Sequence, residues 1–241
     1  RPPPERKPDP LYPAQCRSVT AGRMGRLKDR GASTWGSGVT GEQGLNPSAD
    51  PVAHLPQRPW IAAQTRELLM QRGHAWLLHG PSGLGQYHLA LAMVRAWLCE
   101  EPSEAGACSH CASCHAIDVR THADLCVLMP ETTMLHLGWP MGEKAQGEID
   151  DKKRKASKEI RVDAMRDAVE FSQRTSSRGR GKAVLVFPAE QMNSITANAL
   201  LKTLEEPPAH AIFILCTTDP QKLPITVVSR CTQVNFKMPS L

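Results

Sequence analysis

The stretch LLHGPSGLGQYHLALA, Leu77 to Ala92, decides the fold. A short apolar run breaks into glycines and resumes with helical spacing, and this strand, loop, helix order is the setting in which a phosphate-binding loop works. Such a loop reads G-x-x-x-x-G-K-[ST], with the lysine on the terminal phosphates and the hydroxyl on magnesium. Gly80 and Gly85 keep the glycine spacing, and Gly83 adds a third permissive position, but the lysine and hydroxyl positions hold Gln86 and Tyr87. The backbone cradle depends on glycine more than on side chains. The chemistry does not, because a neutral amide adds no charge at the transferring phosphate and a phenol is too large to replace a small hydroxyl on the metal.

Further apolar runs occur at 124–130 (DLCVLMP), 183–187 (AVLVF) and 211–218 (AIFILCTT), with helical segments between them. They have the length and near-continuous hydrophobicity of strands buried on both faces. The alternation predicts an α/β domain with a mostly parallel sheet flanked by helices. A helix is expected from PWIAAQTRELLMQRG to its stop at Gly73. Another is expected in MNSITANALLKTLEEPPAH, capped by Asn193 or Ser194, with Ile195, Ala199, Leu200 and Leu204 at helical spacing and Pro207-Pro208 as its stop. A short helix is expected from Pro224 to Arg230.

Residues 1–50 are rich in Pro, Gly, Ser and Arg and carry 8 basic and 5 acidic side chains, so they contribute +3 of the +5 net charge. Without apolar periodicity they are expected to be a disordered leader, with an Arg-rich transit peptide as the alternative. The domain is expected to fill 51–241. Within it, 138–159 is dense in both charge signs and reads as an exposed insertion. No apolar run is long enough for a membrane span and no secretory signal is visible, so the expected location is the cytoplasm.

Four of eight cysteines are clustered as C-x8-C-x2-C-x2-C: Cys99, Cys108, Cys111 and Cys114. Cysteines two residues apart can reach one metal, and four thiolates close a tetrahedral zinc site without an open position, so this loop is expected to hold a structural zinc. His110 and His115 are substitute ligands. Glu100, Glu101 and Glu104 stand around the cluster with no Lys or Arg between Cys99 and Cys114, which disfavours a zinc-dependent nucleic-acid-binding module.

Two further features complete the reading. An acid that positions magnesium is expected at the end of AVLVF, yet the chain continues Pro188, Ala189, Glu190, with the carboxylate two residues late. Thr217 and Thr218 end a buried run, where polar residues would face a strand-end crevice. Arg230 follows a short helix beyond that strand, a position that suits an arginine reaching into a neighbouring subunit's phosphate site.

Taken together, HAWLLHGPSGLGQ, the four-cysteine insertion, ANALLKTLEEPP and ILCTTDPQKLPITVVSRC resemble the clamp-loader group of the AAA+ superfamily, and within it the delta prime subunits of bacterial DNA polymerase III. The resemblance spans about residues 56–237. It implies that Ser229-Arg230-Cys231 is the S-R-C motif, with Arg230 as an arginine finger for ATP on an adjacent gamma/tau subunit. It also implies a heteropentameric ring with gamma/tau and delta subunits that loads a sliding clamp on primed DNA. The decayed loop matches the delta prime condition, whereas active gamma/tau-type ATPases keep the lysine and acids. ATP or ADP binding at Gly80–Gly85 stays open, against a loop that is only a connection closed by Tyr87 packing inward. Family members continue into lid and collar domains that this chain does not reach, so it is expected to be a fragment.

Overall fold

The computed structural model describes residues 59–71 and 73–236. The expected disordered leader, 1–50, lies outside the described residues. The domain opens with helix α1 (Pro59–Leu69), followed by strand β1 (Ala75–His79), α2 (Gln86–Leu98), α3 (Ala112–Asp118), β2 (Leu125–Leu128), α4 (Glu131–Leu137) and α5 (Glu143–Asp150). It continues through α6 (Val162–Gln173), β3 (Lys182–Val186), α7 (Ser194–Glu205), β4 (Ala211–Thr217), α8 (Ile225–Val228) and β5 (Thr232–Asn235).

All five strands are parallel, in the order β2-β3-β4-β1-β5. The near-continuous apolar runs follow from burial on both faces, because alternate residues of one strand enter two different cores. Leu78, Leu185 and Ile214 pack with Leu89, Met93 and Val94 of α2 on one face. Leu77, Val184, Val186 and Phe213 pack with Met165 of α6 and Leu200 and Leu204 of α7 on the other. Helices therefore cover both sides of the sheet, as the alternating sequence predicts.

Asn193 caps α7, its side-chain oxygen accepting the Thr196 N–H at 2.9 Å. The face of α7 that enters the core is set by Ala197, Leu200 and Leu204, while Ile195 is 64% exposed and does not join it. A second difference is β5, which follows Arg230. The arginine thus stands before the last strand and not beyond it. β5 pairs with β1 from Trp76↔Thr232 to His79↔Asn235.

The 138–159 segment is not a free solvated loop throughout. Gly138 ends α4 with a positive φ of 68°, turning Trp139 inward to 7% exposure. Farther on, Arg154 donates to both oxygens of buried Glu131 (2.5 and 2.8 Å) and to Glu148 (2.7 Å), and Ser157 N–H adds a bond to Glu131 at 2.8 Å. A charge run reads as solvated only until a buried carboxylate claims one of its members. Among the described residues no helix is long and apolar enough to cross a membrane.

Candidate functional site

The carboxyl ends of β1, β3 and β4 form the edge where a phosphate loop would act. Gly80 leaves β1 there, and a side chain at that position would force the backbone to shift, since a Cβ would lie 2.4 Å from the Phe236 carbonyl oxygen. Gly85, with φ 101°, caps α2 in the left-handed conformation that glycine adopts without strain. Gly83 also has a positive φ, 84°. The three glycines thus stand where close approach or a positive φ favours glycine.

Its two altered positions are both buried. The Gln86 side-chain amide donates to the carbonyls of Gly80 and Pro81, each at 2.7 Å, and so ties the loop to itself. Tyr87 is 7% exposed and stacks on Phe187, the residue that directly follows β3, with ring centroids 5.1 Å apart and planes 30° from parallel. Trp139 Nε1–H donates to the Tyr87 hydroxyl at 2.6 Å. Tyr87 stands at the loop position where a small hydroxyl is expected from the sequence, and Phe187 directly precedes Pro188, where an acid is expected. Three aromatic side chains join at Tyr87.

Glu190, the first acid after β3, is also committed. Glu190 Oε1 accepts the Thr218 hydroxyl at 2.7 Å and the Thr218 N–H at 3.3 Å. Thr217, 1% exposed, does not face an open crevice: its hydroxyl accepts the Asp219 N–H at 3.1 Å within the turn after β4. Thr218 is exposed.

Arg230 lies at the opposite edge. Gly80 follows the carboxyl end of β1, while Arg230 precedes the amino end of β5, its parallel partner. At about 3.3 Å per residue, the length of these strands separates the two by on the order of 15 Å along the strand axis. The guanidinium cannot serve its own chain's loop. It is held at the C-terminus of α7, where Glu205 Oε1 accepts Nε–H at 2.8 Å and a closer Nη2–H, while Nη1 donates to the Thr226 carbonyl at 2.8 Å. Its side chain is 32% exposed.

The cysteines form a separate cluster. Cys99 follows α2, Cys111 caps α3, and Cys114 lies in its first turn. All four sulfur atoms lie within 4.8 Å of one another, with Cys99 to Cys111 and Cys99 to Cys114 both 3.8 Å. Four thiolates on a tetrahedral zinc at about 2.3 Å would stand about 3.8 Å apart, so the donor set fits that ion. Backbone N–H groups aim at the sulfurs: Cys108 N–H at Cys99, Cys111 N–H at Cys108 and Cys114 N–H at Cys111, at 3.3 to 3.4 Å. Burial opposes ionisation of Cys111, but the N–H groups and neighbouring thiols bring it down to about 6, whereas burial pushes Cys114 up to about 12. His115 is exposed on α3, and His110 lies 3.9 Å from Glu101 on the rim. Four sulfurs suffice without either.

One feature escaped the sequence reading. Asp124, fully buried before β2, accepts from Lys182 Nζ (3.0 Å), Ser176 Oγ (3.0 Å), Ser177 N (2.8 Å) and Arg178 N (3.0 Å). Its backbone N–H binds His122 Nδ1 at 3.0 Å, and His122 Nε2 lies 3.0 Å from Ser113 Oγ on α3. This chain of contacts fastens the cysteine loop to the sheet. Only an unusually buried Asp and Lys at two strand starts mark it, and neither stands out in a sequence.

The family model described as "DNA polymerase III, delta subunit" matches residues 64–240. The chain is similar to the DNA polymerase III subunit delta' of Pseudomonas aeruginosa, 38% identical over 183 residues that cover 75% of this chain and 49% of that protein. It is also similar to the subunit delta' of Escherichia coli (34% identical, 72% of this chain, 46% of that protein) and to the subunit tau of Salmonella typhimurium (35%, 68% and 22%). The chain spans about half the length of these delta' relatives. Among solved structures, a gamma subunit-related protein of Thermotoga maritima matches with 22% identity and a TM-score of 0.48, covering 74% of this chain and 46% of that one.

Proposed function

The chain belongs to the family described as DNA polymerase III, delta subunit, and from that premise we propose that it is the AAA+ part of a non-hydrolysing, delta prime-type clamp-loader subunit. In this reading it assembles with gamma/tau and delta subunits into a ring that places a sliding clamp on primed DNA. It does not turn over ATP itself. It offers Arg230 to the ATP held by an adjacent subunit, and its four cysteines hold one structural zinc.

The observation that carries this reading is the ring stack of Tyr87 on Phe187, closed by Trp139. Catalysis of phosphoryl transfer is positioning plus electrostatic stabilisation, and a site without lysine, magnesium hydroxyl or strand-end acid supplies neither. Arg230 is meanwhile carried by the opposite edge of the sheet from its own chain's loop, which supports a role toward another chain. The similarity to tau favours an active gamma/tau-type ATPase as the second reading. That reading requires a small hydroxyl at position 87 and an acid directly after AVLVF, where the chain carries a packed Tyr87 and Pro188.

The test is reconstitution with the neighbouring ATP-hydrolysing subunits. The isolated chain is expected to release no phosphate from ATP, and Arg230→Ala is expected to cut DNA-stimulated turnover of the complex roughly a hundredfold or more. Steady turnover by the isolated chain refutes the non-hydrolysing assignment. Normal turnover in the Arg230→Ala complex refutes the finger.

A further inference from the structure

We infer that Glu205 is the positioning residue of the Arg230 finger; the inference rests on the finger reading above and names what holds the guanidinium ready. A free arginine on a surface samples many rotamers, and a finger must present one of them to a phosphate. Arg230 is not free. Its Nε–H and one Nη2–H converge on Glu205 Oε1, and Nη1 donates to the Thr226 carbonyl, with Ser229 Oγ 3.5 Å away.

The geometry assigns each hydrogen. A guanidinium carries five N–H donors in a rigid planar fork. Glu205 takes the Nε/Nη2 edge, and Thr226 takes one hydrogen of Nη1. The second Nη1 hydrogen has only the Ser229 hydroxyl, at 3.5 Å, a contact long enough to yield, and with the second Nη2 hydrogen it makes the pair that a forked contact with a phosphate uses. The close contacts therefore orient the finger, and of the two donors a phosphate would use only the Nη1 one is held, by the long Ser229 contact.

The elements that do this come from two motifs far apart in sequence. Glu205 is the last residue of α7, where LEEPP stops the helix, and Thr226, Ser229 and Arg230 belong to α8 and the turn after it. Packing of Leu200, Leu204, Val227 and Val228 into one core fixes the two helices against each other. The carboxylate and the guanidinium meet because that core brings both helix ends to the amino edge of the sheet. An ion pair with one partner 50% exposed adds little to stability. Its orienting effect on a catalytic arginine is a separate matter.

The experiment uses the assembled complex with its neighbouring ATP-hydrolysing subunits and compares Arg230→Ala, Glu205→Ala, Glu205→Asp and Glu205→Gln. Glu205→Ala and Glu205→Asp, which remove or withdraw the acceptor, are expected to lower stimulated kcat about tenfold, equivalent to about 1.4 kcal/mol of barrier, with KM for ATP unchanged. Glu205→Gln keeps an oxygen at the Oε1 position and is expected to restore kcat to within about threefold of the unsubstituted complex. A merely structural role for Glu205 would change melting temperature and assembly and would leave no rescue by glutamine. If Arg230→Ala abolishes turnover while Glu205→Ala and Glu205→Asp match or exceed the unsubstituted complex, the positioning role is overturned and the finger stands. If Arg230→Ala turns over normally, both are overturned.

Discussion

Tyr87 Oη accepts the Trp139 indole N–H at 2.6 Å while the Tyr87 ring stacks on Phe187, so residues from α2, the turn after α4 and the end of β3 share one buried contact. The Tyr87 phenol is a packing residue with a satisfied polar end. Its hydrogen bond matters because a buried indole N–H left without an acceptor costs more than the bond contributes when made.

Restoring the loop's working residues is accordingly expected to harm the protein without reviving it. Gln86→Lys combined with Tyr87→Thr removes the ring, strands the Trp139 N–H and places an ammonium where Gln86 now bonds two carbonyls. The expected loss is about 3 kcal/mol or more, from the cavity and the unpaired donor together. Thermal or urea denaturation measures it, and phosphate release from ATP is expected to stay at background because Phe187 and Pro188 still supply no acid.

Much of this was legible in the sequence for identifiable reasons. The strands β1 to β4 announce themselves because both of their faces are buried, and Gly80 and Gly85 are forced by close approach and by a positive φ. β5 was not legible: TQVN is a short edge strand, with Thr232, Gln233 and Asn235 exposed, and lacks the apolar run that marks its neighbours. Ile195 has helical spacing with Ala199 but lies on the exposed side of α7, since a pattern of apolar residues does not say which of its members the core reaches. The Tyr87 contact with Trp139 joins residues 52 apart in sequence, and no local pattern encodes such a pair.

The cysteine cluster is expected to bind one zinc per chain, measured by elemental analysis of protein purified without added metal. Cys114→Ser is expected to lower both zinc content and melting temperature, because Cys114 is fully buried and its sulfur faces Cys99 at 3.8 Å. Exhaustive chelation of the unsubstituted protein is expected to reproduce the stability loss, and re-addition of zinc to reverse it.

Asp124 and Lys182 make a second test. Burial alone would raise the Asp124 pKa, but the N–H groups of Ser177 and Arg178, the Lys182 ammonium and the Ser176 hydroxyl more than offset it and hold the carboxyl at about 2, below its ordinary 3.8. A depressed carboxylate stabilises the fold above its unfolded value, and that contribution is lost as pH falls from about 4 through about 2. Asp124→Ala is expected to destabilise by roughly 3 to 5 kcal/mol at neutral pH, since it leaves the Lys182 ammonium buried without its carboxylate. It is also expected to flatten the acid limb of a plot of stability against pH.

Glu131 makes the last test, on the basic turn at 151–158. Arg154 grips both of its oxygens, and Ser157 N–H and the Thr132 N–H to Ser157 carbonyl bond at 3.1 Å close the turn against α4. Lys152, Lys153 and Lys155 around this anchor are exposed, so their chemistry suits trypsin. Cleavage also needs a backbone free to leave its hydrogen bonds and enter the protease, which the anchored turn resists. Glu131→Ala removes the acceptor for two side-chain donors and one backbone donor at once. Limited trypsin digestion is expected to cut the variant within 151–158 at least tenfold faster than the unsubstituted protein at neutral pH, the rate following the population of the opened turn. Arg154 holds the Glu131 carboxyl below its ordinary 4.5, so the anchor is complete above that value and is lost as pH falls below it. Equal cleavage rates in the two proteins at neutral pH would show that the turn opens as readily without its buried carboxylate, and the anchoring role of Glu131 would then be wrong.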